Sequence, residues 1–249
     1  MHHDTRTPDI ESSSDDYAWR FTGPVGRYLL DVQRDLVRDL LGGCAGEHLR
    51  ILEVGGGHAQ LTPSLLAAGH DVVVHGSASV CARRVAPLMQ RYPDRARFVA
   101  SSLWSLPFAD RAFDAVIGVR LLAHVESWEA LLGEMARVCR RHLIVDFPPR
   151  LSANLLEPVL FTLKRGLEGN TRPFFCYRAG HLRACLEDHG FSRFREVRQL
   201  FLPMVLHRIA RSRAFSAGIE TVCRGLGLTR LLGAPSLLLA ERAAPRAGP

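Results

Sequence analysis

The chain has 249 residues, 47% of them hydrophobic, a mean hydropathy of +0.02 and a formal net charge of +7. That is enough chain for one α/β domain with decorations, and no apolar run reaches the roughly 18 residues that a bilayer-spanning helix needs. The six cysteines, Cys44, Cys81, Cys139, Cys176, Cys185 and Cys223, include no Cys-x-x-Cys pair, which argues against a zinc site and against a secreted disulfide framework. Residues 1–16 are Ser- and Asp-rich with no apolar signal core, so they are expected to be a disordered tail on a cytoplasmic protein.

Residues 17–240 are expected to form a single domain. Tyr17 to Leu41 carries helical apolar spacing at Tyr28, Leu29, Val32, Leu36, Val37 and Leu40, broken at Gly23-Pro24 and stopped by Gly42-Gly43. Ile51–Val54 is a short apolar run of buried-strand length, followed at once by Gly55, Gly56 and Gly57. Leu61, Leu65 and Leu66 then recur at helical spacing until Gly69, and Val72–Val74 is a second strand. A helix is predicted over Ser79–Tyr92, a third strand over Phe98–Ala100 and a fourth over Asp114–Val119. A helix over Trp128–Cys139 then leads into a fifth strand over His142–Asp146.

The last third adds an apolar helical insert at 150–172, a helix over Tyr177–Gly190, strands at Val197–Leu202 and Pro235–Ala240, and a second helical insert at 204–233 between them. Residues 241–249 are expected to be a loose tail. Alternation of strands and helices through the chain reads as an α/β fold.

Strand, glycine turn, helix and strand in that order make a βαβ crossover whose turn opens onto a helix N-terminus. Backbone N–H groups there are unpaired, and residues without a Cβ let a ligand approach the chain. A dinucleotide fingerprint would need a third glycine where Gln60 stands, and the Gly-Lys-Ser/Thr of a phosphate loop is absent. Glu53, Gly55 and Gly57 resemble motif I of the class I S-adenosylmethionine (SAM) dependent methyltransferases. Phe98–Val116, with its Leu106-Pro-Phe loop and Phe113-Asp-Ala-Val, resembles the family's third strand, loop and fourth strand. Leu121-Leu-Ala-His-Val125 is similar to its Leu-His-His-Val segment, and Trp128–Cys139 to its next helix. The resemblance covers roughly residues 48–147.

The resemblance implies a three-layer α/β sandwich with a seven-stranded sheet, parallel except for a reversed last strand, and a function in SAM-dependent methyl transfer. The cofactor is then expected against Glu53, Gly55, Gly56, Gly57 and Gln60, against His75, Gly76 and Ser77, against Ser101, Ser102 and Leu103, and against Arg120. Two positions depart from the family pattern. Gly76 stands where an acid usually holds the ribose, and Ser102 where an Asp usually meets the adenine. A methyltransferase-like partner protein that has lost the cofactor is therefore carried as the alternative. If cofactor affinity is low for want of the ribose acid, Gly76→Asp is expected to raise it. His124 is the candidate base. Tyr17 and Tyr28 are candidates to line the cleft, because the family often lays an N-terminal helix across it.

Arg far outnumbers the single Lys164, and residues 137–213 hold 15 of the 32 basic residues but only 6 of the 25 acidic ones. Both inserts pair apolar helical spacing with Arg. The acceptor is accordingly expected to be a small or lipid-like molecule with an apolar body and an anionic or phenolic head, met by Arg172, Arg208 and Arg211 and presented from a membrane surface. No nucleic-acid module is recognisable, and none is expected as a partner.

Overall fold

The computed structural model describes residues 7–44, 46–152 and 175–243. Seven strands form one sheet: β1 (Arg50–Val54), β2 (Asp71–Gly76), β3 (Ala96–Ala100), β4 (Phe113–Gly118), β5 (Cys139–Phe147), β6 (Phe191–Leu200) and β7 (Ala234–Arg242), in the order β3-β2-β1-β4-β5-β7-β6. β7 runs antiparallel to both neighbours, with Ile144 opposite Leu239, and the other pairs are parallel. The expected seven-stranded sheet with one reversed strand is therefore observed.

Both faces of the sheet are buried, so the central strands are apolar without interruption and their side chains divide by parity. On one side Leu52, Val54, Val116, Leu143, Val145 and Phe147 pack on α6 (Trp128–Val138) and, through Leu182 and Leu186, on the helix Ala179–Asp188. On the other, Ile51, Ala115, Ile117 and Ile144 meet Val37 and Leu40 of α3 (Gly23–Leu40) and Leu65 and Leu66 of α4 (Thr62–Ala67).

The N-terminus departs from expectation. Residues 7–16 are not a tail: α1 (Pro8–Ser12) and the start of α2 (Asp15–Trp19) dock on the molecule, and Asp9 is completely buried. The segment has no apolar stripe, and polar contacts hold it in place. The chain end expected to be loose is also partly built in, since β7 extends to Arg242, whose guanidinium bonds to the carbonyls of Cys139 and Ala136 and stacks 4.3 Å from the Phe191 ring. Ser79–Arg84 is 3-10 rather than α, and the α-helix α5 (Ala86–Arg91) follows it, with Pro87 in its first turn.

The predicted insert at 204–233 is three helices, Met204–Ala210, Arg213–Gly225 and Leu228–Leu232. They close on a buried carboxylate: Glu220 accepts from the backbone N–H groups of Phe201 (2.8 Å) and Leu202 (2.9 Å) and pairs with His207 at 3.1 Å. The other predicted insert, 150–172, lies outside the described residues from position 153 onward, and Arg172 with it. No described helix is long and apolar enough to cross a membrane.

Candidate active site

The strand order reverses between β1 and β4, and in open sheets of this type the crevice at that point, beyond the carboxyl ends of the strands, is where ligands bind. β1 is followed at once by Gly55, whose φ of +66° is a left-handed conformation that glycine adopts without penalty. The Gly56 N–H then donates to the His75 carbonyl at 3.2 Å, fixing the turn to β2. Glu53 sits beneath this turn, 2% exposed, and accepts from the Thr62 hydroxyl, so it braces the turn from below and does not face a ligand.

Burial pushes the Glu53 carboxyl up to about 7. Folded Glu53 therefore keeps its proton between about pH 4.5 and 7, where an unfolded glutamate has lost it. The sign is opposite to that of an ion-paired acid: its contribution to stability falls as pH rises through that window. The stability of Glu53→Gln minus that of the wild type should rise by up to about 3 kcal/mol between pH 5 and 8, read from urea unfolding at each pH. A pH-independent difference would show that Glu53 is ionised throughout.

At the end of β2, His75 is fully buried, bonds Ser101 Oγ at 2.9 Å and is held neutral by desolvation. Gly76 does not have room for the family's acid. A Cβ there would stand 2.6 Å from Cys81 Cβ and 3.0 Å from the Phe98 ring. The expected gain from Gly76→Asp is thus corrected: the substitution should destabilise the fold by about 1–3 kcal/mol, as overpacking does, with no gain in cofactor affinity. Thermal unfolding with and without ligand checks both halves. Leu103 is also corrected, being 1% exposed in the core under β4 and α6. Ser102 is exposed, and its hydroxyl accepts from the Trp104 N–H.

A carboxylate does stand beside Ser77, but it comes from α1. Asp9 accepts from the Ser77 N–H and from the Ser77 hydroxyl, each at 2.6 Å, and from the Cys81 thiol at 3.6 Å. Ser13 Oγ packs so closely on Gly57 that any side chain at 57 would overlap it, and Asp9 Cβ lies 3.4 Å from where a Gly55 Cβ would be. The backbone cradle and its donors suit a nucleoside with a charged tail, and in this structure the chain's own residues 9–13 lie in it.

Next to this cradle is a cavity of about 240 Å³ beyond the ends of β4 and β5, lined by Tyr17, Arg20, Phe21, Gln33, Arg120, His124, Asp146, Phe147, Gln199, Leu200, Met204, Val205 and Arg208 among others. Arg120 organises it. Its φ of +59° is a left-handed conformation that costs a side-chain-bearing residue energy, and the Asp146 carboxylate holds it there by accepting from the Arg120 N–H at 2.6 Å. Asp146 also accepts from Gln33 Nε2 at 2.8 Å. Gln33 Oε1 in turn accepts from Arg120 Nε at 3.1 Å and from Gln60 Nε2 at 2.9 Å. Burial pushes the Asp146 carboxyl up to about 6, partly offset by Arg120.

The Arg120 guanidinium lies 3.9 Å over the Phe21 ring, and that of Arg208 lies at 5.8 Å from it. Arg120 Nη1 and Gln199 Nε2 are buried donors with no hydrogen-bond partner among the described residues. Two unsatisfied donors lining one cavity are suited to an oxygen-bearing ligand. His58, directly after the glycine turn, packs edge-on to Tyr17 and Phe21, and burial, with Arg120 and Arg84 nearby, pushes it down to about 4.

The cavity thus brings together Tyr17, Arg120, His124 and Arg208 from the sequence expectation. Two residues fall elsewhere. Tyr28 packs with Val25, Leu29 and Leu200, its ring 6.2 Å from His207, and does not line the cavity. Arg211 is an exposed left-handed residue capping the helix Met204–Ala210. Sequence reasoning missed Asp9, Gln33, His58, Asp146 and Gln199. Gln33 had a readable signal, since it occupies an inward position between Leu29 and Val37 on an otherwise apolar stripe and is 1% exposed.

Comparison with known proteins agrees with this fold. A family model described as a methyltransferase domain matches residues 51–142. A demethylmenaquinone methyltransferase of Beutenbergia cavernae is 36% identical over 149 residues, which span 57% of this chain and 60% of that protein. Among solved structures, the magnesium protoporphyrin IX methyltransferase of Synechocystis PCC 6803 with bound SAH (S-adenosylhomocysteine) has a TM-score of 0.61 at 18% identity, covering 92% of this chain and 93% of the other. The 1,6-didemethyltoxoflavin-N1-methyltransferase of Burkholderia thailandensis has a TM-score of 0.53 at 16% identity, over 87% and 79% of the two chains. At such identities the two structures speak for the fold. The sheet order and the glycine turn at the switch point are those of a Rossmann-like methyltransferase fold, and residues 51–142 are similar to a methyltransferase domain.

Proposed function

We propose that the protein transfers a methyl group from SAM, bound at Gly55–Gly57 and Ser77, to a small-molecule acceptor held in the cavity around Arg120. The observation that carries this is the adjacency of the two sites: a backbone cradle at the end of β1 and a donor-lined cavity at the ends of β4 and β5. When bound, SAM supplies a methyl group already activated by its sulfonium charge, so the chain's work is mainly orientation. Arg120 Nη1 and Gln199 Nε2 hold the acceptor's oxygen, and Phe21, Phe147, Leu200 and Val205 enclose its apolar part. His124, which lines the same cavity, takes the proton where the acceptor is a hydroxyl. Asp146 is committed to Arg120 and Gln33 and is not the base.

The acceptor class this supports is an apolar molecule with an anionic or phenolic oxygen, in keeping with the quinone substrate in the Beutenbergia relative's name. The insert 204–233 adds a surface for a membrane. Phe215, Val222, Leu226 and Leu231 are each more than half exposed there, while the insert's single acid, Glu220, is buried. We place the protein in the cytoplasm, in contact with anionic bilayers through this insert. A partner protein that had lost the cofactor would be expected to close the cradle with large side chains. Here small polar side chains on a separate short helix close it.

The test is transfer of labelled methyl from SAM to phenolic and quinol acceptors, with and without an alkyl tail, free and in anionic or neutral vesicles. Transfer to the tail-bearing phenolic acceptor, stimulated by anionic vesicles, is the expected result. Transfer indifferent to the acceptor's oxygen would contradict the assignment of Arg120 and Gln199.

A further inference from the structure

The contacts of α1 combine three features. Asp9 is fully buried, and it saturates both donors of Ser77. Ser13, whose hydroxyl bonds back to the Asp9 carbonyl at 2.6 Å, covers Gly57. The buried residues of 7–16 are Pro8, Asp9, Ser12 and Ser13, whereas Ile10, its one large aliphatic side chain, is 37% exposed. Asp15 adds surface ion pairs to Arg83 at 2.8 Å and Arg84 at 2.5 Å. Polar groups make this attachment. Water or a ligand can replace each of these bonds one for one, so the helix can leave without exposing a large apolar face.

Resting on the SAM reading above, we propose that α1 is an internal competitor of the cofactor. Residues 9–13 occupy the glycine turn, the Asp9 carboxylate takes the Ser77 donors that a bound ribose would use, and the cofactor site opens only when α1 leaves. The missing acid at position 76 fits this arrangement. A carboxylate fixed there would add a second negative charge next to Ser77, whose donors Asp9 takes, and nearby like charges repel. The packing of Cys81 and Phe98 around Gly76 keeps the position empty for Asp9 to approach Ser77.

The experiment titrates SAH into the full-length wild type and the Asp9→Ala and Asp9→Asn variants, and maps backbone hydrogen exchange with and without SAH. The two substitutions guard against misfolding of either one, which circular dichroism checks. Removing the Asp9 contacts should tighten SAH binding about tenfold. In the wild type, saturating SAH should speed exchange at residues 8–14 and slow it at 55–58 and 77.

Weaker binding in both variants would make Asp9 a ligand of the cofactor and overturn the proposal while leaving the SAM site intact. SAH binding with unchanged or greater protection of residues 8–14 would do the same. No SAH binding by any of the three folded proteins would overturn both the proposal and the SAM reading beneath it.

Discussion

Asp146→Ala is expected to lower the unfolding free energy by about 2–4 kcal/mol and to abolish turnover. Asp146 is 5% exposed and accepts two hydrogen bonds, from the Arg120 backbone and from Gln33. A hydrogen bond to a charged group contributes about 1.5–3 kcal/mol, and removing a buried acceptor also leaves its donors unsatisfied. Without it the Arg120 N–H loses the acceptor that fixes it at φ +59°, so residue 120 can relax and its guanidinium swing from the Phe21 ring. Chemical denaturation and turnover are the two readouts. A loss below about 1 kcal/mol with activity retained would show that Arg120 keeps its conformation unaided.

Arg120→Ala should leave the fold standing and reduce kcat/KM by about 10- to 100-fold, because it removes a charged donor aimed at the acceptor, an interaction of about 1.5–3 kcal/mol. Arg120→Lys should restore only part of this. A lysine keeps the charge but lacks the fork that reaches Gln33 and the cavity together. Equal activity in wild type and Arg120→Ala, with an acceptor shown to turn over, would move the acceptor's oxygen to another part of the cavity.

The sheet was legible because its signal is apolar and local. Runs such as Ile51–Val54 and Leu143–Val145 are buried on both faces, and the glycine turn stands directly after the first. β6 was harder to place: it starts at Phe191, well before the predicted Val197, because it is an edge strand. The exposed Arg193 and Arg195 along it are charges of the kind that keep an edge strand from pairing with another chain.

The candidate site was half legible. Arg120, His124, Tyr17 and Arg208 could be placed near the crevice by motif or charge, whereas the Asp146–Gln33–Gln60 network depends on side chains 113 and 27 residues apart. The segment 7–16 was illegible for a clear reason. It has no helical apolar stripe, and its anchor is one carboxylate meeting a serine 68 positions away, which composition cannot distinguish from a solvated tail.

The most direct measurement is a crystal structure of the protein grown with saturating SAH. The nucleoside should lie against Gly55–Gly57 with its ribose at Ser77, and its sulfur should face the cavity of Arg120 and His124. SAH lodged elsewhere, with the glycine turn unchanged, would contradict methyl transfer at this site.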